Sequence, residues 1–180
     1  SEAEFALEAG ADLVGLNFIS ESARRIDLRT AKMLSKRLEG HVERVALFSN
    51  ATESQISEVL EAVPLERVQF HGKETPEFVA GFDIPTIKAI AGANPGEAAR
   101  YSDSLILLDH PSGKAGKGKV WDWSAATPLL QQDFTVILAG GLDAENVVEA
   151  LRSFRDHLPW GVDVASGVEV GGRKDLNKMK

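Results

Sequence analysis

Short apolar segments alternate with helix-forming segments along nearly the whole chain of 180 residues. Runs such as residues 13–18 and 105–108 are typical of strands that are buried on both faces. No linker or low-complexity tract interrupts the pattern. Because strict alternation of strands and helices requires a parallel sheet with helical crossovers, the sequence predicts a single α/β domain.

The boundaries of these segments follow from apolar runs, capping residues, glycines and prolines. The predicted strands are residues 13–18, 42–48, 67–70, 86–90, 105–108, 135–139 and 162–165. The predicted helices are residues 2–9, 28–38, 75–80, 95–101 and 123–131, one capped by Thr52, and one that runs from Asp143 to Arg155.

Two architectures share this alternation, an open doubly wound sheet and an eight-stranded barrel. The helix at the start of the chain needs a strand before it, and that strand would be the eighth. No G-x-G-x-x-G motif of the dinucleotide-binding kind follows the first strand. We therefore predict a (β/α)₈ TIM barrel as one domain over residues 1–180, without its first strand in this chain.

Charge and composition argue against several classes of protein. The net charge of −7 disfavours nucleic-acid binding, which depends on clustered Lys and Arg. The chain has no cysteine, which excludes disulfides and thiolate metal sites and is typical of the cytoplasm. No apolar run approaches the roughly 18 residues of a membrane span. We expect a cytoplasmic protein with neither nucleic acid nor membrane as a partner.

Active sites of such barrels lie at the carboxyl ends of the strands. Arg24 follows the first predicted strand, where a guanidinium group can bind a carboxylate through two hydrogen bonds. An exposed loop arginine is the alternative. His71 and Gly72 follow the third strand, and His71 fits a structural role as well as a ligand contact.

Asp109 follows the apolar run at residues 105–108. A carboxylate in this position is costly to bury, and partial burial would raise its pKa toward that of a general acid. The Gly- and Lys-rich segment at residues 112–118 fits a lid over an anionic substrate, or a plain surface loop. His110 fits either a functional or a structural role.

Glycine-containing pairs follow the last two strands, at Gly140–Gly141 and Ser166–Gly167. Barrels often bind phosphate at these two loops through backbone N–H groups, which a side chain would obstruct. The two pairs in this order therefore predict a phosphate site. Asp143 is predicted to cap a helix together with Asn146. Two tryptophans, Trp121 and Trp123, are predicted to be packing residues.

The ordered motifs resemble those of the phosphoribosylanthranilate isomerases. QFHG at residues 69–72 resembles a strand end of that family, and LLDH followed by VWDWS resembles its loop after a later strand. ILAGGLDAENV, GVDVASGVE, and EAGADLVGLNF with the following SARR resemble three further segments. The resemblance covers nearly the whole chain and implies a TIM-barrel enzyme of tryptophan, and hence aromatic amino acid, biosynthesis.

The resemblance implies an Amadori rearrangement, an aldose–ketose isomerisation that uses no cofactor and no metal. N-(5′-phosphoribosyl)anthranilate becomes 1-(2-carboxyphenylamino)-1-deoxyribulose 5-phosphate. Asp109 is implied to be the general acid. The implied substrate contacts are Arg24 to the anthranilate carboxylate, His71 and Asp163 in the pocket, and Gly140, Gly141, Ser166 and Gly167 to the phosphate.

The chain departs from the family pattern at the residue that acts as the catalytic base. The family uses a cysteine in a K-(I/V)-C-G motif at the end of its first strand, and this sequence contains neither. The family also continues beyond residues 174–180 into a final helix, so the resemblance implies that most of the last helix is missing from this chain. We therefore expect a piece of a full isomerase that has little activity by itself. Because Ala23 and Arg25 also depart from the pattern, either Arg24 or Arg25 can be the carboxylate clamp. Fusion to, or association with, another enzyme of the tryptophan pathway stays open.

Two other functions are compatible with a barrel that carries phosphate-binding loops. Other sugar-phosphate barrels would show catalytic Lys and Glu at early strand ends, as in indole-glycerol-phosphate synthase, or metal-binding His and Asp, as in ribulose-phosphate epimerase. Neither set is present, and Lys88 lies inside a predicted strand. The second competitor is a degenerate or fragmentary phosphate-binding barrel without activity. The missing cysteine favours it, whereas the presence of Asp109 and the phosphate glycines opposes it.

Overall fold

The structure, a computed structural model, describes residues 1–112, 120–132, 134–155 and 157–180. These residues form two compact units, the first comprising residues 1 and 3–87 and the second residues 2 and 88–180. The predicted lid at residues 112–118 lies outside the described residues except for Ser112. Within the described ranges, no helix is long and apolar enough to cross a membrane.

The first unit is built from parallel strands that follow the order of the chain. Its strands are β1 (Leu13–Asn17), β2 (Glu43–Phe48) and β3 (Arg67–Phe70), and its helices are α1 (Glu2–Glu8), α2 (Leu28–Leu38), α3 (Glu53–Ala62) and α4 (Pro76–Ala80). Strand β2 pairs with β1 and β3 on either side, with Val45 opposite Gly15 and Arg67. Strand β4 (Thr86–Ala91) begins in this unit and continues in the second.

Side-chain caps explain where the helices of the first unit begin. The Asp27 carboxylate accepts a hydrogen bond from the Thr30 N–H at 2.7 Å before α2. Thr52 and Gln55 form a reciprocal capping box at the start of α3, as the sequence predicts for Thr52. Thr75 caps α4, which has Pro76 in its first turn. Each cap satisfies backbone N–H groups that have no partner inside the helix.

The second unit repeats the same arrangement. Its strands are β5 (Leu105–Asp109), β6 (Val136–Leu138), β7 (Gly161–Val162) and a two-stranded antiparallel pair, β8 (Glu169–Val170) and β9 (Arg173–Lys174). Its helices are α5 (Pro95–Ala98), α6 (Thr127–Leu130), α7 (Val147–Arg152) and α8 (Leu176–Met179), with 3₁₀ turns at Ala99–Tyr101, Trp123–Ala126 and Ser166–Val168. Strand β6 lies between β5 and β7, parallel to both.

Sequential parallel strands with intervening helices are the connectivity of a (β/α)₈ barrel. The strands supply most of the apolar residues that have almost no exposed surface. These include Leu16, Phe70, Ile87, Ile106, Leu107, Leu108 and Leu138. Because the strands are covered on both faces, they read as continuous apolar runs and not as alternating ones.

Several predicted boundaries in the second unit are wrong, among them the end of α7, which was predicted at Arg155 and lies at Arg152. The last strand was predicted at residues 162–165, but β7 ends at Val162, and the chain turns at Ala165 with φ −108° and ψ −81°. Asp143 does not cap α7, which begins at Val147 after Asn146. The Asp143 carboxylate instead accepts N–H groups of Glu145 and Asn146 in the turn before the helix. The carboxylate therefore organises the turn that leads into the helix.

An ion pair of the buried Arg44 connects β2 with α2 and with the loop before β3. Arg44 is 6% exposed, and its guanidinium forms a bidentate pair with Glu66, in which Nε donates to Oε2 at 3.0 Å. Its Nη1 also donates to the carbonyl and the hydroxyl of Ser35, both at 3.0 Å. The Ser35 hydroxyl in turn donates to the Pro64 carbonyl at 2.6 Å. Hydrogen bonds from Arg44 lower the pKa of the Glu66 carboxyl below its ordinary value.

We expect Glu66→Gln to lower the free energy of unfolding at pH 7 by about 1 kcal/mol. Buried Arg44 loses its charged partner, but the Glu66 side chain is 38% exposed, so solvent screens part of the interaction. A lowered folded-state pKa gives stability that is present above the unfolded-state value and lost as pH falls through the folded-state value. The difference between wild type and variant should therefore shrink below about pH 4.3. Urea unfolding at several pH values measures this. Glu97→Gln, which removes an exposed pair with Arg100, should cost less at every pH.

Candidate active site

Asp109 is the last residue of β5 and is buried, with 7% of its surface exposed. Its carboxylate oxygen Oδ1 accepts a hydrogen bond from the His110 N–H at 2.8 Å. Its carbonyl accepts one from the Gly92 N–H, also at 2.8 Å. The carboxylate at this strand end is therefore buried, and the backbone of Asp109 is fixed by the loop after β4.

Gly140, which follows β6, lies directly against this carboxylate. Its φ is +82°, a conformation that glycine adopts without strain. A Cβ atom at Gly140 would lie 3.1 Å from the Asp109 Oδ1, 2.9 Å from the Trp121 Nε1 and 2.7 Å from the His110 nitrogen. The acid and the first glycine turn, which the sequence places after different strands, are thus brought together.

Two indole groups hold the backbone at this turn. The Trp121 Nε1–H donates to the Ala139 carbonyl at 3.0 Å, and the Trp123 Nε1–H donates to the Gly140 carbonyl at 3.2 Å. Trp121 is buried, as predicted for a packing residue. The hydrogen bonds were not predicted from the sequence, although a buried indole N–H usually finds an acceptor. These tryptophans therefore fix the strand end beside Asp109.

Side chains also fix the second residue of this turn. Gly141 has φ +82°, and its carbonyl accepts a hydrogen bond from the Asn146 Nδ2 at 2.9 Å. The Asn146 Oδ1 accepts another from the Asp143 N–H at 2.9 Å. Asn146 thus ties the glycine turn to the approach to α7.

The second glycine loop packs on the first. A Cβ atom at Gly167 would overlap the Leu142 carbonyl oxygen and would lie 2.8 Å from the Asp143 Cβ. Ser166 and Gly167 lie in the 3₁₀ turn after β7. The two predicted phosphate loops are therefore in contact, and both lie in the second unit.

Lys174 on β9 supports the glycine loop at Ser166–Gly167. This role of Lys174 was not predicted from the sequence. Its Nζ donates to the Ala165 carbonyl at 2.6 Å and lies 3.1 Å from a carboxylate oxygen of Glu169. Both side chains are largely buried. The local sequence around Lys174 gives no sign of this contact, because the contact depends on how the β8–β9 hairpin folds back.

Asp163 follows β7 directly and is exposed. Its N–H donates to the Leu138 carbonyl at 2.8 Å, which extends the pairing of β6 with β7 by one residue. The side chain is therefore located at the carboxyl end of the strand, where the resemblance implies a substrate contact. That role stays a prediction.

His71 follows β3 in the first unit, and its ring orientation is set by Gln69. The amide Nε2 of Gln69 lies 3.2 Å from the His71 Nδ1. Because an amide nitrogen only donates, Nδ1 accepts and the neutral ring carries its proton on Nε2. Gln69 is buried at 6% exposure. The two residues are two apart on a strand and so lie on the same face, which explains the spacing in QFHG.

The predicted clamp residues Arg24 and Arg25 lie in the loop between β1 and α2. Arg24 is partly buried and Arg25 is exposed. The Ser22 hydroxyl accepts the Arg24 N–H at 3.1 Å, and the Ser22 carbonyl accepts the Arg25 N–H at 3.1 Å. The loop is therefore a compact turn, in which Arg24 is the more enclosed of the two arginines.

Comparison with known proteins places the chain in one family. The family model for N-(5′-phosphoribosyl)anthranilate (PRA) isomerase matches residues 1–180. N-(5′-phosphoribosyl)anthranilate isomerase of Listeria innocua is 38% identical over 180 residues, covering 97% of this chain and 87% of the relative.

Solved structures of the same family are similar to this chain over almost its whole length. The crystal structure of phosphoribosyl anthranilate isomerase from Thermus thermophilus has a TM-score of 0.88 at 33% identity, with coverage of 99% of this chain and 88% of that one. A phosphoribosyl anthranilate isomerase in complex with reduced 1-(o-carboxyphenylamino)-1-deoxyribulose 5-phosphate has a TM-score of 0.85 at 35% identity, with 99% and 88% covered. These likenesses confirm the predicted TIM-barrel fold class, and the chain belongs to the N-(5′-phosphoribosyl)anthranilate isomerase family.

Proposed function

We propose that this chain isomerises N-(5′-phosphoribosyl)anthranilate in tryptophan biosynthesis, with Asp109 as the general acid. The observation that carries the proposal is the buried Asp109 carboxylate beside the Gly140 turn. A phosphate held at the glycine loops would bring the attached ribose close to this acid. The membership of the chain in the isomerase family supports the same reaction.

The reaction needs one proton donor and one proton acceptor. Asp109 would protonate the ribose ring oxygen while the anthranilate nitrogen lone pair displaces it, which opens the ring to an iminium ion. Loss of the proton at C2′ then gives an enolamine, and this tautomerises to the ketone. The resemblance assigns the base to a cysteine, which these 180 residues do not contain. The proposal therefore concerns the acid and the binding groups.

The phosphate would bind at the two touching glycine loops, Gly140–Gly141 and Ser166–Gly167. Their contact is so close that a Cβ at Gly167 would meet the Leu142–Asp143 backbone. Backbone N–H groups in such loops bind phosphate without any cationic side chain. The solved relative in complex with a phosphorylated product analogue supports a ligand of this chemistry.

Arg24, His71 and Asp163 are proposed to contact the remaining parts of the substrate. Arg24 would pair with the anthranilate carboxylate, and His71, with its proton on Nε2, would act as a hydrogen-bond donor. Asp163 would accept hydrogen bonds from sugar hydroxyls. A cytoplasmic location and an association with another enzyme of the pathway stay predictions from the sequence.

We expect Arg24→Met to weaken binding of reduced 1-(o-carboxyphenylamino)-1-deoxyribulose 5-phosphate by about 10- to 100-fold, because a charged hydrogen bond is lost. Arg25→Met is the matched control and should change the affinity less than about twofold. Fluorescence titration of the carboxyphenylamino group measures both. The opposite ranking would assign the clamp to Arg25. Tight binding of the analogue without any turnover would favour the inactive phosphate-binding barrel.

A further inference from the structure

A largely buried lysine is brought to the glycine loop at Ser166–Gly167 by the β8–β9 hairpin. Lys174 on β9 lies directly opposite Glu169 on β8. The turn between the two strands consists of Gly171 and Gly172, whose φ angles are +59° and +79°. Two positive φ angles are typical of hairpin turns that match the twist of the flanking strands. The hairpin therefore returns Lys174 to the start of β8, next to the loop.

The Lys174 ammonium group contacts a backbone carbonyl and a carboxylate. Its Nζ donates to the Ala165 carbonyl at 2.6 Å and lies 3.1 Å from Oε1 of Glu169. The side chains of Lys174 and Glu169 are only 20% and 10% exposed. A cation that is paired with a carboxylate attracts a more distant anion less than a lone cation does, because the two charges oppose each other. The bond to Ala165 is therefore the contact through which Lys174 can act on the loop.

The carbonyl of Ala165 and the N–H of Ser166 belong to the same peptide group. Because a trans peptide is planar, its C=O and its N–H point in opposite directions. The hydrogen bond from Lys174 thus holds the Ser166 N–H on the side that faces away from the lysine. Ser166 is the first residue of its 3₁₀ turn, and N–H groups at the start of a helical turn have no partner inside it. Lys174 therefore sets the direction of an N–H group that can bind a ligand.

The hairpin holds this turn at both ends. Ala165 has φ −108° and ψ −81°, a conformation that is neither helical nor extended. Rotation about its ψ angle would turn over the peptide that it shares with Ser166. At the other end of the turn, the Asp175 N–H donates to the Val168 carbonyl at 2.9 Å. The backbone bond of Asp175 thus holds the end of the turn, and the Lys174 side chain holds the peptide at its start.

We propose that Lys174 is a positioning residue for the substrate phosphate, which directs the Ser166 N–H toward it through the bond to the Ala165 carbonyl. The inference rests on the proposed function, in which this loop binds the phosphate. A donor that is held in place before binding loses less conformational entropy when the ligand arrives. The charged bond to the carbonyl also polarises the same peptide group, which strengthens its N–H as a donor. Lys174 itself does not touch the phosphate.

The test compares two ligands that differ only in the phosphate. Lys174→Met keeps most of the length of the side chain and removes its donor. We expect reduced 1-(o-carboxyphenylamino)-1-deoxyribulose 5-phosphate to bind about tenfold more weakly, and the same compound without its phosphate to bind within about twofold of wild type. The Ser166 amide proton should shift downfield when wild type binds the phosphorylated compound, and should shift less in the variant. Lys178→Met, which removes the same charge from an exposed position on α8, should change none of these quantities.

Each other outcome identifies a different error. Unchanged affinity of Lys174→Met for the phosphorylated compound would overturn the proposal. An equal loss for both compounds would show that Lys174 only supports the structure, and an undiminished Ser166 shift would show that it acts through its charge alone. A wild-type protein that binds both compounds equally well would contradict the proposed phosphate site, and this inference with it. If Lys174→Met does not fold, its combination with Glu169→Gln, which also neutralises the carboxylate that loses the lysine, is measured in its place.

Discussion

In a protein that also carries the family's first strand with its cysteine, replacing Asp109 with asparagine is expected to lower turnover of N-(5′-phosphoribosyl)anthranilate by about 10²- to 10⁴-fold, the usual contribution of a general acid. The amide has nearly the shape of the carboxyl group, and its Oδ1 can still accept the His110 N–H. The variant therefore loses the transferable proton while keeping its place at the end of β5. Turnover is followed by the change in anthranilate fluorescence.

Binding distinguishes loss of the acid from loss of the site. Asp109→Asn should bind the reduced product analogue within about threefold of wild type, because an acid that acts in the transition state contributes little to ground-state affinity. Asp103→Asn, an exposed aspartate after the 3₁₀ turn at Ala99–Tyr101, serves as the control and should retain full turnover. Retained turnover in Asp109→Asn would contradict its role as the acid.

The second large effect is expected at Gly167. An added methyl group there would overlap the Leu142 carbonyl oxygen and lie 2.9 Å from the Asp143 Cα. Both obstacles are backbone or next to it, so neither can rotate away. Gly167→Ala is therefore expected to lower the free energy of unfolding by about 3 kcal/mol, near the upper range for overpacking. For a chain of this length that lowers the melting temperature by about 6–12 °C.

Gly161→Ala supplies the matched control for this substitution. A Cβ at Gly161 on β7 would have nothing within 4 Å, so the same added methyl group meets open space. We expect its melting temperature to stay within about 3 °C of wild type, because alanine is tolerated where glycine adopts an ordinary backbone conformation. Thermal unfolding by circular dichroism compares the two variants. Equal effects would show that the contact between the glycine loops is unimportant.

The effect of Gly167→Ala on ligand affinity depends on which of the two glycine loops moves. If Gly167→Ala displaces the 3₁₀ turn at Ser166–Val168, the backbone N–H groups proposed to bind phosphate move with it. The variant should then bind the phosphorylated analogue at least about tenfold more weakly below its melting temperature. Loss of stability with unchanged affinity would place the phosphate elsewhere.

The sequence alone determined most of the secondary structure and the residues at the strand ends. Helix α2 and strand β3 have the predicted bounds. Asp109 lies at the end of β5, and Gly140–Gly141 and Ser166–Gly167 follow β6 and β7, the strands that were expected to carry them. These features are encoded locally, in apolar runs, caps such as Thr52, and glycines a few residues away. The exceptions are also informative. Val164 and Ala165 continue the apolar character of β7, yet the strand ends at Val162.

Only the tertiary structure decided which of these residues meet. The contact of Gly140 with the Asp109 carboxylate, the packing of Gly167 on Leu142, and the hydrogen bond from the Asn50 N–H to the Glu74 carboxylate each join loops from different strands. No local pattern encodes them, because they depend on the register of neighbouring strands and on the space left between their loops. The same holds for the indole bonds that fix the Gly140 turn. The sequence thus specified the groups of the site, and the register of the parallel strands set the contacts among them.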